Sequence, residues 1–497
     1  MTASDKVDLG ELRVQDEAQL QSKCSKKQAK KEMRKEKLRN QRNTVAAVRS
    51  SGFDVCDTFG DVRLSNLKVK SGIDFWTAVG DLSSLLDGYH VILRTKVVKV
   101  RSKGSNIVFL VITENGSTTT AQCVCSEDKE LIKYISKLTY NSAVDLEGFV
   151  VVPDRPVEGV TQKEVEVRLK RVFCVARADK LPFTLEDASR CEVDRGTGLL
   201  DDLGNDLKES KRVRVNTDTR LSYRVLDLQT PANQAIFKIM AEISAVFSEF
   251  MRAQGFLQIY PPELNDLGSS KGGARVFKLD YFGQNACLVQ SSQLHKQLAV
   301  RAGFRRVYVV QEAFRAEDSD TNRHLTEFTG LHCEMEIEDS YSEVVDVCEA
   351  LFLKFFDALH VKLSKDLEIV RAQFPSLPLK YLPKNPRLTF EEGVKMLQEA
   401  GLNIDCTKDL STKAEKMLGK LVLEKYDSDF FILDRFPMAA RPFYTMPCDT
   451  DPMFSNSFDV FIRGQEIVTG GERISSKDLF LQRAALSPEI DLKSLAT

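Results

Sequence analysis

Three features of the 497-residue sequence predict an α+β protein of at least two domains. Short β-branched runs separated by turn residues crowd the region from about 85 to 180. A long helix with an apolar stripe opens at Pro231, and a strand, polar loop and second strand surround the segment Phe314 to Glu336. A chain of this length exceeds what one core can organise.

Taken in order, residues 1–60 are polar, lysine-rich and nearly free of aromatics, so they cannot bury a core. They are expected to be largely disordered apart from one basic helix. Between Lys23 and Arg42, ten lysines and arginines face only two acidic residues, Glu32 and Glu36. Lys23, Lys27, Lys30, Arg34 and Lys37 recur at helical spacing and share one face, with Lys31 beside them. Such a stripe reads as a solvated tail or as a clamp that binds nucleic acid by counterion release without reading bases.

Residues 61–185 are predicted to form a small all-β barrel from VILRTKVVKV, NIVFLVIT, AVDLEGFVVV and EVEVRLKRVFCV. Residues 186–220, rich in Asp, Gly and Lys, form the expected hinge. The larger domain spans 221–497. Thr230 is its first expected N-cap, with Pro231 at the first helical position. Ile236, Ile239, Met240, Ile243, Val246, Phe247 and Phe250 supply the stripe. Further on, Val307 to Val310 lead into FRAEDSDTNRHLTEFTGLHCEME with Arg315 at the loop's base. Two arginines, a histidine and an aromatic around so short a loop suit a polyanion carrying a flat ring.

Composition narrows the class. With 70 basic and 72 acidic residues, no globally cationic surface is expected. The eleven cysteines include no C-x-x-C pair and the histidines number five, so neither a disulfide framework nor a zinc site has the required spacing. No apolar run approaches the roughly 20 residues of a membrane span, and the N-terminus lacks a secretory h-region. A cytoplasmic protein with reduced thiols and no membrane partner is expected.

FRAEDS followed by RHLTEFTGL is similar to motif 2 of the class II aminoacyl-tRNA synthetases, in the form typical of eukaryotic and archaeal cytosolic aspartyl-tRNA synthetases. The resemblance extends to LDLQTPANQAIF at 226–237, QSSQLHKQ at 290–297, LDRFPMAARPFYTMP at 433–447 and SNSFDVFIRGQEIVTGGERI at 455–474. It covers most of the chain after about residue 60. It implies a class II antiparallel sheet with flanking helices, preceded by an OB-fold that binds the anticodon. GFLQIYPPEL resembles motif 1, with Pro262 at the signature proline, which implies a homodimer. The implied function is aspartate–tRNA ligase: ATP-dependent activation of L-aspartate to aspartyl-adenylate and transfer to tRNA(Asp), with ATP and Mg²⁺. A multisynthetase complex is a further partner that the resemblance admits.

Residue roles follow from the same resemblance. Arg315 is expected at the α-phosphate and substrate carboxylate, Glu317 at the adenine amino group, Phe328 stacked on the ring, and Arg323 with His324 at the γ-phosphate. Glu466 and Thr469 match positions that hold Mg²⁺ or substrate, an oxygen donor set suited to a hard ion on nucleotide phosphates. Lys296 and Arg473 are expected to select the aspartate side-chain carboxylate, with Ser291 and Gln293 nearby. In the barrel, Arg101, Phe109 and Gln122 match anticodon contacts, and Lys103 stands where relatives carry glutamine. Ser319 and Thr321 match positions that touch the tRNA acceptor end.

Three departures accompany the resemblance. Relatives continue past the segment resembling LSPEIDLKSLAT into motif 3, whereas this sequence is given as far as Thr497. Lys271, in GSSKGGARVF, and His332 replace two carboxylates that meet the substrate ammonium in relatives. Like charges about 4 Å apart near a surface repel by about 4 kcal/mol. The alternative expectation is therefore a catalytically impaired synthetase paralogue acting as a tRNA- or ATP-binding or regulatory module.

Overall fold

The computed structural model describes residues 58–61, 76–114, 119–191, 214–266, 276–318 and 325–486. Lys27, Lys30, Lys31, Arg34, Lys271, Ser319, Thr321, Arg323 and His324 lie outside the described residues. The chain divides into two compact units, Met1–Ala188 with Ser210–Pro231, and Ser189–Glu209 with Ala232–Thr497.

The first unit is built on alternation. In β2 (His90–Lys103) every second side chain from Val91 to Val97 is buried, and in β5 (Ala143–Val151) the alternation runs the whole length, as a sheet with one wet face requires. With β3 (Ile107–Thr113), β4 (Thr120–Cys125) and β6 (Glu166–Ala176), these strands run in the order β6-β4-β3-β2-β5, and β5 pairs again with β6. The sheet thereby closes on itself and leaves these five strands no open edge. A short strand, β1 (Phe59–Asp61), adds to β6 in parallel. Between β4 and β5 lies α1 (Lys129–Ile135), capped by Asp128, whose carboxylate accepts from the N–H groups of Glu130 and Leu131. Its Leu131, Ile132 and Ile135 join Leu93, Leu110, Ile112, Val144 and Leu146 in the barrel core. A helix between the third and fourth strands of a five-stranded barrel is the architecture expected of an OB-fold.

The second unit opens with α2 (Pro231–Ala253), whose stripe behaves unevenly. Phe247, Phe250 and Met251 are buried, whereas Phe237 and Met240 remain more than half exposed. Downstream of α2, β7 (Leu257–Gln258) pairs in parallel with β11 (Arg306–Phe314), which pairs antiparallel with β12 (Glu327–Met335) across the expected loop. A separate antiparallel sheet joins β8 (Leu264–Asp266), β10 (Gln284–Leu288) and β9 (Lys278–Tyr281). The helix α3 (Gln293–Ala299) follows β10. After α4 (Ser342–Lys362) and α5 (Ser364–Gln373) comes the third sheet, β13 (Arg387–Thr389), β14 (Phe430–Asp434), β15 (Ser457–Ile462) and β16 (Gln465–Gly471). The helices α6 (Phe390–Glu399) and α7 (Thr412–Tyr426) cover one of its faces through Phe390, Leu397, Leu418 and Val422. On its other face, Phe356 of α4 packs with Phe430, Phe458 and Val460. Full burial of side chains this large contributes roughly 1.5–3 kcal/mol each. Among the described residues of this unit the mainly antiparallel strands, flanked by helices, fall into three sheets, and β12 and β16 are terminal strands of two of them.

A bulge lies in β16. Val460 pairs with Val468 while Phe461 pairs with Glu466, so Ile467 is the extra residue. In a regular strand Glu466 and Thr469, three apart, would point to opposite faces. The bulge returns them to one.

Candidate active site

The hairpin aims its side chains by register. Along β12, Phe328, Gly330, His332 and Glu334 alternate onto one face, opposite Ala313, Gln311, Val309 and Val307 of β11. Just beyond β11, the Arg315 N–H donates to the carbonyl of Thr326 at 2.9 Å, which closes the hairpin under the loop. The Arg315 guanidinium lies 5.3 Å from the centre of the Phe328 ring, within cation–π range. Arg315 is exposed, and Glu317 and Phe328 are half-buried. A flat, electron-rich ring and an anion could both be met at this end.

Farther along the same face the charges are buried and paired. Lys296, on α3, is only 5% exposed, with its Nζ 3.9 Å from Glu334 and 3.4 Å from the Cys333 carbonyl. Burial lowers its pKa, and the Glu334 carboxylate opposes that shift. Arg473, two residues past β16, forks onto both oxygens of Glu334 at 2.7 and 2.9 Å. His332 has its pKa pushed down to about 3, first by burial and then by the nearby charges of Lys296 and Arg315. The imidazole is therefore neutral, and along β12 it stands between Phe328, beside Arg315, and Glu334, beside Lys296.

Gly330 makes room for it. A Cβ at Gly330 would fall 2.1 Å from His332 Nε2, a distance no side chain tolerates, so the ring occupies space that only glycine leaves free. Ser291 and Gln293 precede Lys296, and the Tyr444 hydroxyl donates to Gln293 Oε1 at 2.9 Å. The Arg473 guanidinium lies 5.2 Å from the centre of the same Tyr444 ring. One tyrosine thus holds two pocket residues.

Glu466 and Thr469 share a face of β16, and the Thr469 hydroxyl accepts from Arg441 at 3.2 Å. Arg441 also pairs with buried Asp459 at 2.7 Å. Among the described residues no cluster of three or more His, Cys, Asp or Glu could cage a metal. One carboxylate and one hydroxyl nevertheless fit Mg²⁺, which commonly takes few protein ligands and completes its shell with phosphate and water.

On the barrel, Arg101 lies directly opposite Phe109, and Gln122 lies opposite Val111 on the neighbouring strand. Arg101 donates to Gln122 Oε1 at 3.4 Å, and Gln122 donates to Glu166 at 3.4 Å. Lys103 alternates onto the face of Arg101. Phe109 is half-buried and belongs to none of the core clusters, so it faces outward like its neighbours. A cavity of about 240 Å³ bordered by Thr389, Arg435 and Cys448 shares no residue with either site.

Sequence reasoning missed Glu334, Tyr444 and the Arg441–Asp459 pair. Only Glu334 left a local signal, the two-residue spacing from Phe328 through His332. It is the carboxylate with which both Lys296 and Arg473 pair in the structure.

A family model described as tRNA synthetases class II (D, K and N) matches residues 216–489. Aspartate–tRNA ligase 2, cytoplasmic, of Arabidopsis thaliana is 44% identical over 92% of this chain and 83% of its own length. The cytoplasmic aspartate–tRNA ligase of Bos taurus is 39% identical over 84% of this chain and 81% of its own. Among solved structures, the aspartyl tRNA synthetase from Entamoeba histolytica superposes with a TM-score of 0.77 at 35% identity, covering 90% of this chain and 88% of that one. The asparaginyl-tRNA synthetase from Pyrococcus horikoshii with asparaginyl-adenylate gives 0.68 at 25% identity, covering 85% and 89%. The motif 2-like hairpin, the flanked antiparallel strands and these matches together show that the chain belongs to the class II tRNA synthetase family.

Proposed function

We propose that this chain is a cytoplasmic aspartate–tRNA ligase that activates L-aspartate with ATP and transfers it to tRNA(Asp). The observation that carries the reading is the gathering of Lys296, Arg315 and Arg473, from three separate elements, around one face of β12. In the first step an α-carboxylate oxygen of aspartate attacks the α-phosphorus of ATP, forming aspartyl-adenylate and releasing pyrophosphate. In the second, a terminal ribose hydroxyl of tRNA attacks the adenylate carbonyl, its proton is lost, and AMP leaves.

Neither step needs a protein nucleophile, so positioning and charge supply the catalysis. Arg315 is the residue assigned to the α-phosphate and the substrate carboxylate, with Phe328 under the adenine and Glu317 at its amino group. Arg323 and His324 are assigned to the γ-phosphate. Glu466 and Thr469 would hold Mg²⁺, which supplies charge neutralisation on the nucleotide phosphates. Lys296 and Arg473 are assigned to the side-chain carboxylate, with Ser291 and Gln293 beside them. Arg101, Phe109 and Gln122 are assigned to the anticodon, Ser319 and Thr321 to the acceptor end, and the basic residues Lys27, Lys30, Lys31 and Arg34 to the tRNA backbone. Phe237 and Met240 on α2, with Leu257, Tyr260 and Leu264 after it, leave apolar surface that a second copy of the chain would cover.

The test is charging of tRNA(Asp) with labelled aspartate. The unaltered chain should charge it, and Arg315→Ala should lose about 100- to 1000-fold in rate. Absence of charging by the unaltered chain would overturn the reading. A second reading, an impaired paralogue serving as a tRNA- or ATP-binding module, is favoured by one observation. Glu334 already occupies the Arg473 fork that the first reading gives to the substrate.

A further inference from the structure

This inference rests on the assignment of Arg315 to the substrate α-carboxylate and of Lys296 to its side-chain carboxylate. On the β12 face His332 stands between Phe328, whose ring lies 5.3 Å from Arg315, and Glu334, which pairs with Lys296, so its ring lies between the two places where the carboxylates of a four-carbon diacid would bind. The substituent on the α-carbon passes that point. What meets it there is an imidazole held in the space over Gly330. The carboxylate on this face, Glu334, is forked by Arg473 and paired with Lys296. Among the described residues, the ion pairs of Lys296 and Arg473 go to Glu334 and to no other acid. Three cations thus surround one committed carboxylate and one neutral ring.

A neutral imidazole offers one N–H and one lone pair. It can meet a hydroxyl about as well as an ammonium and gives the ammonium no countercharge. We propose that this pocket takes C4 dicarboxylates with or without an α-ammonium group, so that succinate- and malate-like diacids compete with L-aspartate for it. The ligand class is a diacid spanning Lys296 and Arg315, recognised at its two ends and read only weakly in the middle.

The test is calorimetric binding of L-aspartate, L-malate and succinate to the full chain at fixed salt, with ATP binding measured on the same preparation. Succinate should bind within thirtyfold of aspartate and should displace it. His332→Asp should raise the preference for aspartate over succinate at least tenfold, and His332→Asn, which stays neutral, should leave the ratio unchanged. A preference for aspartate of thirtyfold or more in the unaltered chain would overturn the inference, because Glu334 or another acid would then meet the ammonium. Binding of ATP without any diacid would overturn it while leaving the nucleotide half of the functional reading standing. Loss of ATP and diacid binding together would overturn both.

Discussion

The barrel face carrying Arg101, Phe109 and Gln122 and the pocket carrying Lys296, Arg315 and Arg473 use charge in opposite ways. On the barrel, strand register alone places the side chains. Their mutual hydrogen bonds are long, at 3.4 Å, and therefore weak. In the pocket, Glu334 fixes Arg473 through a fork at 2.7 and 2.9 Å and draws in buried Lys296. Substitutions on the barrel should therefore act one residue at a time, whereas a change at Glu334 should disturb the whole pocket.

The largest effect is expected from Glu334→Gln. It leaves Lys296 and Arg473 without their anion, and breaking a pair of this kind costs about 3 kcal/mol. Urea unfolding should show that loss, together with failure of aspartate activation. Phe109→Ala should weaken tRNA binding by about 2 kcal/mol, the worth of one stacked base, while leaving aspartate activation intact. A matching loss of activation would show that the two regions are not independent.

Gly330→Ala should cost about 1–2 kcal/mol and alter the aspartate affinity, because its Cβ must displace the His332 ring. His332 also predicts a pH dependence. Its pKa falls from the ordinary value near 6.5 to about 3 in the folded chain, so below about pH 6.5 the unfolded state binds the proton first. Stability should decline as pH falls from about 6.5 toward 3, and His332→Asn should flatten that part of the profile. The smallest effect is expected from Arg101→Ala, which should reduce the salt slope of tRNA binding by about 0.7, the value for one phosphate of a single strand.

Much of this comparison was legible in the sequence. Alternation in VILRTKVVKV and NIVFLVIT gave the barrel, and the polar loop between two apolar runs gave the hairpin with Arg315 at its base. Local periodicity suffices for such elements because each is defined by its own residues. Glu334 was not legible as an organiser, since a glutamate in a strand resembles a solvated residue and its partner Arg473 lies 139 positions away. The bulge at Ile467 was equally hidden. No glycine or proline marks it, yet it decides that Glu466 and Thr469 share a face. The stripe on α2 is legible as apolar, but periodicity does not say that Met240 stays more than half exposed while Phe247 and Phe250 are buried.

On the proposed function, the cations gathered along β12 carry the activation of aspartate. The most direct measurement is ATP–pyrophosphate exchange by the full chain, driven by L-aspartate and, in parallel, by L-asparagine. The predicted result is exchange with aspartate at least 100-fold faster than with asparagine, lost on Arg473→Ala. Exchange with neither amino acid, or equal exchange with both, would contradict it.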